Sequence, residues 1–461
     1  MCILTASTDP DWLSRLPETF QTFRGSRRIE EVECIVPDFV GMSRGKAMPF
    51  YKFSPDSTFF LPDSLFYQTI TGDYVEIGEI EDQWMEKDIV LHPDMGTASA
   101  APWADDVTLQ VICDLTTRAG DPVEVAPRNV LKRILALYAE RGWQPVVAPE
   151  LEFYLTKPNV DPNEPIEPPI GRTGRRGFGR QPFSMVAVDE YGPVIDTIYD
   201  FAEAQGLGID TLIQEGGAGQ IEINLLHGDP LELADQVFYF KRAIREAGLR
   251  HNTFATFMAK PMRDEPGSAM HLHQSVVDIK TGANIFSEAD GTVSPAFLHF
   301  IGGSQRYLAE VMPVLAPYVN SYRRLNGRMS APGNLEWSRD NRTTGLRIPI
   351  SGPEARRIEN RIIGIDTNPY LAIAASLAAG YLGMINEIEP RPEATHEVWR
   401  EANALPGGLS AALDGFANAT EIQKVLGESF CKLFAAIKNA ELTEFQREIS
   451  PWEREHLLLN V

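Results

Sequence analysis

The chain has 461 residues, 64 of them acidic and 42 basic, for a formal charge of −22. With 43% hydrophobic and 23% charged residues it has the composition of a folded globular protein, which excludes disorder, collagen and coiled coil as descriptions of the whole. A surface this negative repels phosphate backbones, so no nucleic-acid partner is expected.

Residues 9–24 read as a short amphipathic helix. From Ile29 to about Leu115 short apolar runs such as EVECIVPDFVG, STFFLPD and DVTLQVICDL are broken by Gly, Pro and Asp, the pattern of a small sheet-rich domain. Pro122 and Pro127 bracket a turn before a helix near Arg128 to Arg141, which places a domain boundary at 122/123. PVVAPELEFYL then reads as a strand. Residues 156–183 carry six prolines and four arginines and read as an irregular loop. Helices are expected over 196–206, 231–250 and 294–312. Another follows Asn368, which caps it with Pro369 in the first turn. The uncharged run Thr367 to Ile385 is alanine-rich and interrupted by polar residues, so it reads as a buried helix and not a membrane span. The last ninety residues read as mostly helical and end in the apolar tail of PWEREHLLLNV. The four cysteines (Cys2, Cys34, Cys113, Cys431) form no C-x-x-C pair and suggest neither a zinc site nor a disulfide framework. The N-terminus carries no signal-peptide pattern, so a cytoplasmic protein is expected.

Chemistry concentrates in two patterns, spaced acidic and histidine pairs and a run of arginines. Glu150 and Glu152 alternate around Leu151 in an otherwise apolar strand, so both carboxylates project to one face about 6–7 Å apart. His271 and His273 alternate in the same way, as do Glu359 and Arg361. Glu215 and Glu222 flank the glycine turn GGAGQI. Each pair alone fits a solvent-facing edge better than a site. Together they supply five carboxylates and an imidazole, a donor set that suits Mg²⁺ or Mn²⁺ better than zinc. From Arg323 to Arg361 there are nine arginines and no lysine. Arginine makes bidentate bonds to carboxylate and phosphate. Divalent metals beside such a cluster suggest phosphoryl transfer from a nucleotide, without the P-loop or kinase signatures.

The ordered segments VECIVPDFVGMSRGKAMP, HPDMGTASAAPW, APELEFYL, EGGAGQIEI, FMAKPMRDEPGSAMHLHQS, NSYRRL, RDNRTTGLRIP, ARRIENRIIGIDTNPYLA and PWEREHLL resemble the glutamine synthetases over nearly the whole chain. The resemblance implies an α+β fold: an N-terminal β-grasp-like domain over residues 1–122, then a catalytic domain over 123–461 with a curved antiparallel sheet and outer helices. It also implies a homo-oligomer, a dodecamer, with each active site formed between neighbouring subunits. By position, Glu152, Glu215 and Glu222 correspond to the ligands of one metal, and Glu150, His271 and Glu359 to those of the other. Arg324, Arg361 and Gly267 correspond to glutamate-binding positions, Arg342, Arg347 and Arg357 to phosphate-contacting ones, and His273 and Ser275 to nucleotide-contacting ones. Arg324, Arg342 and Arg361 are thereby the expected catalytic arginines. The implied reaction makes γ-glutamyl phosphate from glutamate and ATP and lets an amine displace phosphate.

Departures from the ammonia-using members are informative. Their flap holds glutamate where this chain has Ser330, and their N-terminal Asp-Gly-Ser-Ser run has no clear equivalent in LPDSLFYQTITGDYVE. Pro266 stands where asparagine is usual. Losing both ammonium-site carboxylates while keeping all six metal positions implies a larger amine. The wording is most similar to the γ-glutamylpolyamine or γ-glutamylputrescine synthetase branch. Segments 63–79 and 328–337 would then shape the amine pocket, with Tyr67, Tyr74 and Trp337 either flanking the amine or filling the core. An ammonia-using glutamine synthetase and a non-catalytic structural or regulatory member are the alternatives.

Overall fold

The computed structural model describes residues 10–78, 83–177, 179–326, 331–399 and 405–461. Its first sheet is built from β1 (Ile29–Pro37), β2 (Ser43–Pro49), β3 (Phe59–Pro62), β4 (Asp88–Pro93), β5 (Ser99–Ala100) and β6 (Val107–Thr116), in the order β2-β1-β6-β4-β3 with β5 also on β6. The central pair β1 and β6 is parallel, and the other pairs are antiparallel. β6 is the apolar run VTLQVICDLT and is buried along most of its length, as a strand covered on both faces must be.

The second sheet has eight strands: β7 (Trp143–Thr156), β8 (Ile209–Gln214), β9 (Gln220–Leu225), β10 (Phe254–Thr256), β11 (Met270–Asp278), β12 (Trp337–Arg339), β13 (Leu346–Ile348) and β14 (Ile358–Asn360). The order is β12-β13-β14-β11-β7-β9-β8, with β10 on the end of β7. All pairs are antiparallel except β12 with β13. Helices Pro127–Glu140, Gly192–Gln205, Pro230–Arg250, Pro295–Tyr307 and Pro369–Ile385 surround this sheet. The α+β architecture expected from the sequence is therefore the one observed.

Helix Pro369–Ile385 starts where expected, with the Asn368 side chain accepting from the Leu371 amide. It is buried nearly throughout, against helix Pro295–Tyr307 among others. The two can approach closely because glycines meet: a Cβ on Gly303 would lie 2.4 Å from the Gly383 Cα. No helix among the described residues is long and apolar enough to cross a membrane.

Two helices expected as continuous are interrupted, the first at a proline. The first gives a 3-10 turn at Asp11–Arg15 and a helix at Glu18–Arg24, separated at Pro17, which lacks the amide an unbroken helix would need. The second ends at Tyr307 and resumes at Met312–Leu315 after Val311. Beyond Thr156, which ends β7, the proline-rich segment forms no helix or strand among its described residues before Met185.

Arg128, at the start of helix Pro127–Glu140, ties the first sheet to helix Pro230–Arg250. Its buried guanidinium donates to Asp235 at 3.0 and 2.8 Å, to Asp94 at 2.8 Å and to Asp114 at 2.5 Å. Asp94 follows β4 and caps the turn Met95–Thr97, Asp114 lies on β6, and Asp235 on helix Pro230–Arg250. Tyr370 also donates to Asp235, at 2.6 Å.

Candidate functional site

The acidic pairs converge on one face of the second sheet, because register and two-residue alternation put them there. Glu150 lies opposite His271 across β7 and β11, Glu152 opposite Glu222 across β7 and β9, and His273 opposite Glu359 across β11 and β14. His271 Nδ1 stands 3.2 Å from Glu150, and His273 Nε2 lies 2.9 Å from the other oxygen of the same carboxylate. His271 is also 3.8 Å from Glu152 and 4.0 Å from Glu359. Two groups have ligand atoms within 4.8 Å of one another: Glu150, His271 and Glu359, and Glu152, Glu222 and His271. The first is the trio expected at one metal. The second contains two of the three residues expected at the other, with His271 shared in place of Glu215.

Glu215 follows the end of β8, and its amide bonds back to the Gln220 carbonyl across the glycine turn. Its charge still acts on Glu152 and Glu222, so it faces the same cavity. Arg342, in the turn after β12, acts electrostatically on Glu215.

The proton affinities follow from this crowding. Burial and then the neighbouring Glu215 push Glu152 up to about 8, and burial with Glu152, Glu150 and Glu215 pushes Glu222 up to about 9. Glu215 is raised too, chiefly by burial. Burial also works against ionising Glu359, only 1% exposed, but Arg361 and then His271 outweigh it and hold it at about 2. Glu150 is likewise held low, because bonds to His271 and His273 overcome its burial. Burial, with Arg361 adding to it, lowers His271 to about 4, which keeps the imidazole neutral and free to coordinate. Carboxylates that cannot all ionise together, beside a neutral imidazole, fit a divalent cation bound through oxygen.

The arginines stand around these carboxylates. Arg347 on β13 donates to Glu359 at 2.7 Å and to Asp340 at 2.9 Å, and Arg361 donates to the other Glu359 oxygen. Arg324, buried in helix Val319–Leu325, donates to the Ile362 and Arg361 carbonyls, both at 2.8 Å, and its charge acts on Glu152. Arg357 donates to His273 Nδ1 at 3.3 Å. Ser275 shares the alternation of His271 and His273 on β11. Gly267 has no room for a side chain: a Cβ there would lie 2.5 Å from Arg324 Cγ and 2.7 Å from the Ala259 carbonyl.

Ser330 lies outside the described residues, and the flap expectation rests on sequence alone. Of the three aromatics, Tyr67 and Trp337 are buried, Trp337 donating through its indole to the Arg391 carbonyl, and only Tyr74 is exposed. Gln220 was not singled out by the sequence reading. Its side chain donates to the Gly267 carbonyl at 3.0 Å and to Glu152 at 3.4 Å, and accepts from Gly217 and Tyr154. The available signal was its position two residues before Glu222, on the same strand face.

The family model described as "Glutamine synthetase, catalytic domain" matches residues 124–457. The chain belongs to the glutamine synthetase family. Relatives similar along much of its length include the gamma-glutamylputrescine synthetase PuuA of Escherichia coli (strain K12), 34% identical over 97% of this chain and 94% of the relative. The glutamate–isopropylamine ligase of a Pseudomonas species is 32% identical over 79% of this chain and 80% of the relative. A glutamine synthetase of Mycolicibacterium smegmatis is 31% identical over 81% and 85%. Among solved structures, a GmaS/ADP complex superposes with a TM-score of 0.79 at 26% identity, covering 95% of this chain and 99% of that one. The chain is thus an ATP-dependent ligase of the glutamine synthetase family, in which divalent metals serve the reaction.

Proposed function

We propose that the protein is a cytoplasmic ligase that joins the γ-carboxylate of glutamate to a primary amine, putrescine or a related alkylamine, and that it works as a homo-oligomer, a dodecamer. The chain would divide into an N-terminal β-grasp-like domain, residues 1–122, and a catalytic domain, residues 123–461. One observation carries the amine assignment. All six acidic and imidazole positions are kept in the sequence, five of them with ligand atoms in two close groups, while the flap position that holds glutamate in ammonia-using members is Ser330. The similarity to two ligases named for organic amines supports it.

Glu150, His271 and Glu359 would hold one divalent cation, and Glu152, Glu215 and Glu222 another. Such cations supply positive charge beside the transferring phosphoryl group. In the first step a γ-carboxylate oxygen of glutamate attacks the γ-phosphorus of ATP, and ADP leaves. Arg324 and Arg361 beside Gly267 would orient glutamate, while Arg342, Arg347 and Arg357 face the phosphates, with His273 and Ser275 toward the nucleotide. In the second step the free amine attacks the acyl carbon. The C–N bond forms, the C–O bond to phosphate breaks, and the amine nitrogen gives up a proton.

An ammonium ion is small and strongly hydrated, and holding one away from water needs compensating anions. Ser330 brings no charge. A longer amine recovers binding through its carbon chain, at about 0.8 kcal/mol per buried CH₂. Mass spectrometry of a reaction with ATP, glutamate and putrescine tests the assignment. A γ-glutamyl amide forming in step with ADP supports it, and glutamine from added ammonia as the sole amide product overturns it.

A further inference from the structure

The segment Gln68 to Tyr74 is a small self-contained turn. Gln68 and Tyr74 form a bridge, Thr69 donates its amide to the Asp73 carbonyl at 2.8 Å, and the Thr69 hydroxyl accepts from the Asp73 amide at 3.1 Å. These bonds fix the turn's internal shape, and its orientation depends on what ties it to the rest of the molecule. Little apolar packing does so: Ile70 is 49% exposed, and a cavity of about 700 Å³ lies beside it, lined also by Thr71, Asp366, Glu441 and Phe445. Beside an edge-on contact of the Tyr74 ring with Trp84, the polar ties among the described residues come from helix Glu428–Phe445. The Ile70 amide donates to Glu441 at 2.8 Å, and the Thr71 hydroxyl donates to Glu444 at 2.9 Å.

Glu441 is held in turn. Its second oxygen accepts from Lys438 at 2.8 Å, and the Lys438 ammonium, wholly buried, lies 4.2 Å from the centre of the Tyr318 ring. Tyr318 precedes helix Val319–Leu325, its amide donating to Ser321, and that helix carries Arg324 into the site. One carboxylate therefore links the turn at 68–74 to the helix that presents a site arginine.

We infer that Glu441 is a positioning residue that sets the orientation of the 68–74 turn and, through it, the affinity for the amine. This rests on the reading of segment 63–79 as a wall of the amine pocket. Removing Glu441 alone would strand a buried lysine charge and unfold the region, so the test uses two charge-neutral pairs. Lys438→Met with Glu441→Gln keeps an acceptor for the Ile70 amide. Lys438→Met with Glu441→Met removes it. Hydrogen exchange at the Ile70 amide reads the tie without any catalysis, and kinetics with ATP, glutamate and putrescine read its consequence.

The Gln pair should keep the amide protected and the putrescine KM within about threefold of the parent. The Met pair should lose the protection and raise the putrescine KM at least about tenfold, with the KM values for ATP and glutamate unchanged. Equal exchange at Ile70 in the two variants overturns the inference, as does a Met pair in which all three KM values rise together. A parent protein that turns over no amine refutes the amine-ligase reading itself, and with it the kinetic half of this inference, whereas the exchange comparison then judges the tie alone.

Discussion

Glu222→Gln should make the metal-free protein more stable and the metal-loaded protein less so. Glu222 faces Glu152 across β7 and β9, and its proton affinity is raised to about 9 by burial and three neighbouring carboxylates. A carboxylic acid raised in this way binds a proton in the folded chain that the unfolded chain has released. The folded state is therefore penalised from about pH 4.5 upward, increasingly so until pH 9. At pH 7 the penalty spans about 2.5 pH units, roughly 3 kcal/mol at 1.36 kcal/mol per unit. Glutamine carries no such charge, so the variant should match the parent near pH 4.5 and exceed it by up to about 3 kcal/mol at pH 7. Urea denaturation at fixed protein concentration, in EDTA and at several pH values, measures this. With Mn²⁺ the order should invert, because the variant has lost an anionic donor and gains less from the ion. A variant no more stable than the parent in EDTA at pH 7, or equally stabilised by Mn²⁺, would refute the reasoning.

Other substitutions probe the frame around the site. Arg128→Ala strips the cation from Asp94 and from the buried Asp235, while Asp114 keeps Lys132, and should cost about 3–5 kcal/mol by the usual penalty for stranding buried charge; a denaturation loss below about 1 kcal/mol would contradict the clamp between the first sheet and helix Pro230–Arg250. Burial, with Arg245 adding to it, lowers Lys241 to about 7, so the folded chain binds fewer protons there than the unfolded chain between pH 7 and 10.5. The parent should accordingly gain stability relative to Lys241→Met as pH rises from 7 to 10, and a difference independent of pH would contradict this. Leu458, Leu459 and Val461 stand exposed on the single chain, and burying each leucine is worth roughly 2 kcal/mol. Deleting residues 451–461 should lower the assembly size seen by sedimentation, whereas an unchanged size would show that the tail does not join subunits.

Much of the candidate site was legible because strand geometry is simple. Alternation put Glu150 with Glu152 and His271 with His273 on common faces, and pairing did the rest by setting His271 3.2 Å from Glu150. The parts that were not legible depend on contacts distant in sequence. Arg128 gathers aspartates from three separate elements, and no local pattern announces that meeting. Gln220 acts through five partners that only the folded chain brings within reach. Burial likewise decided the fate of Tyr67 and Trp337, whose type suits a pocket wall and a core equally. The break at Pro17 was visible as a residue, yet the amphipathic pattern over 9–24 favoured a single helix; the end at Tyr307, inside the expected 294–312, carries no proline to mark it.

The central claim is that this site activates glutamate for an organic amine and not for ammonia. Phosphate release from ATP and glutamate, measured against putrescine, other alkylamines and ammonium chloride, tests it most directly. The account predicts a kcat/KM for putrescine or a related alkylamine at least about a hundredfold above that for ammonia, equivalent to roughly 2.7 kcal/mol. Comparable turnover with ammonium chloride, and no stimulation by any primary amine, would contradict it.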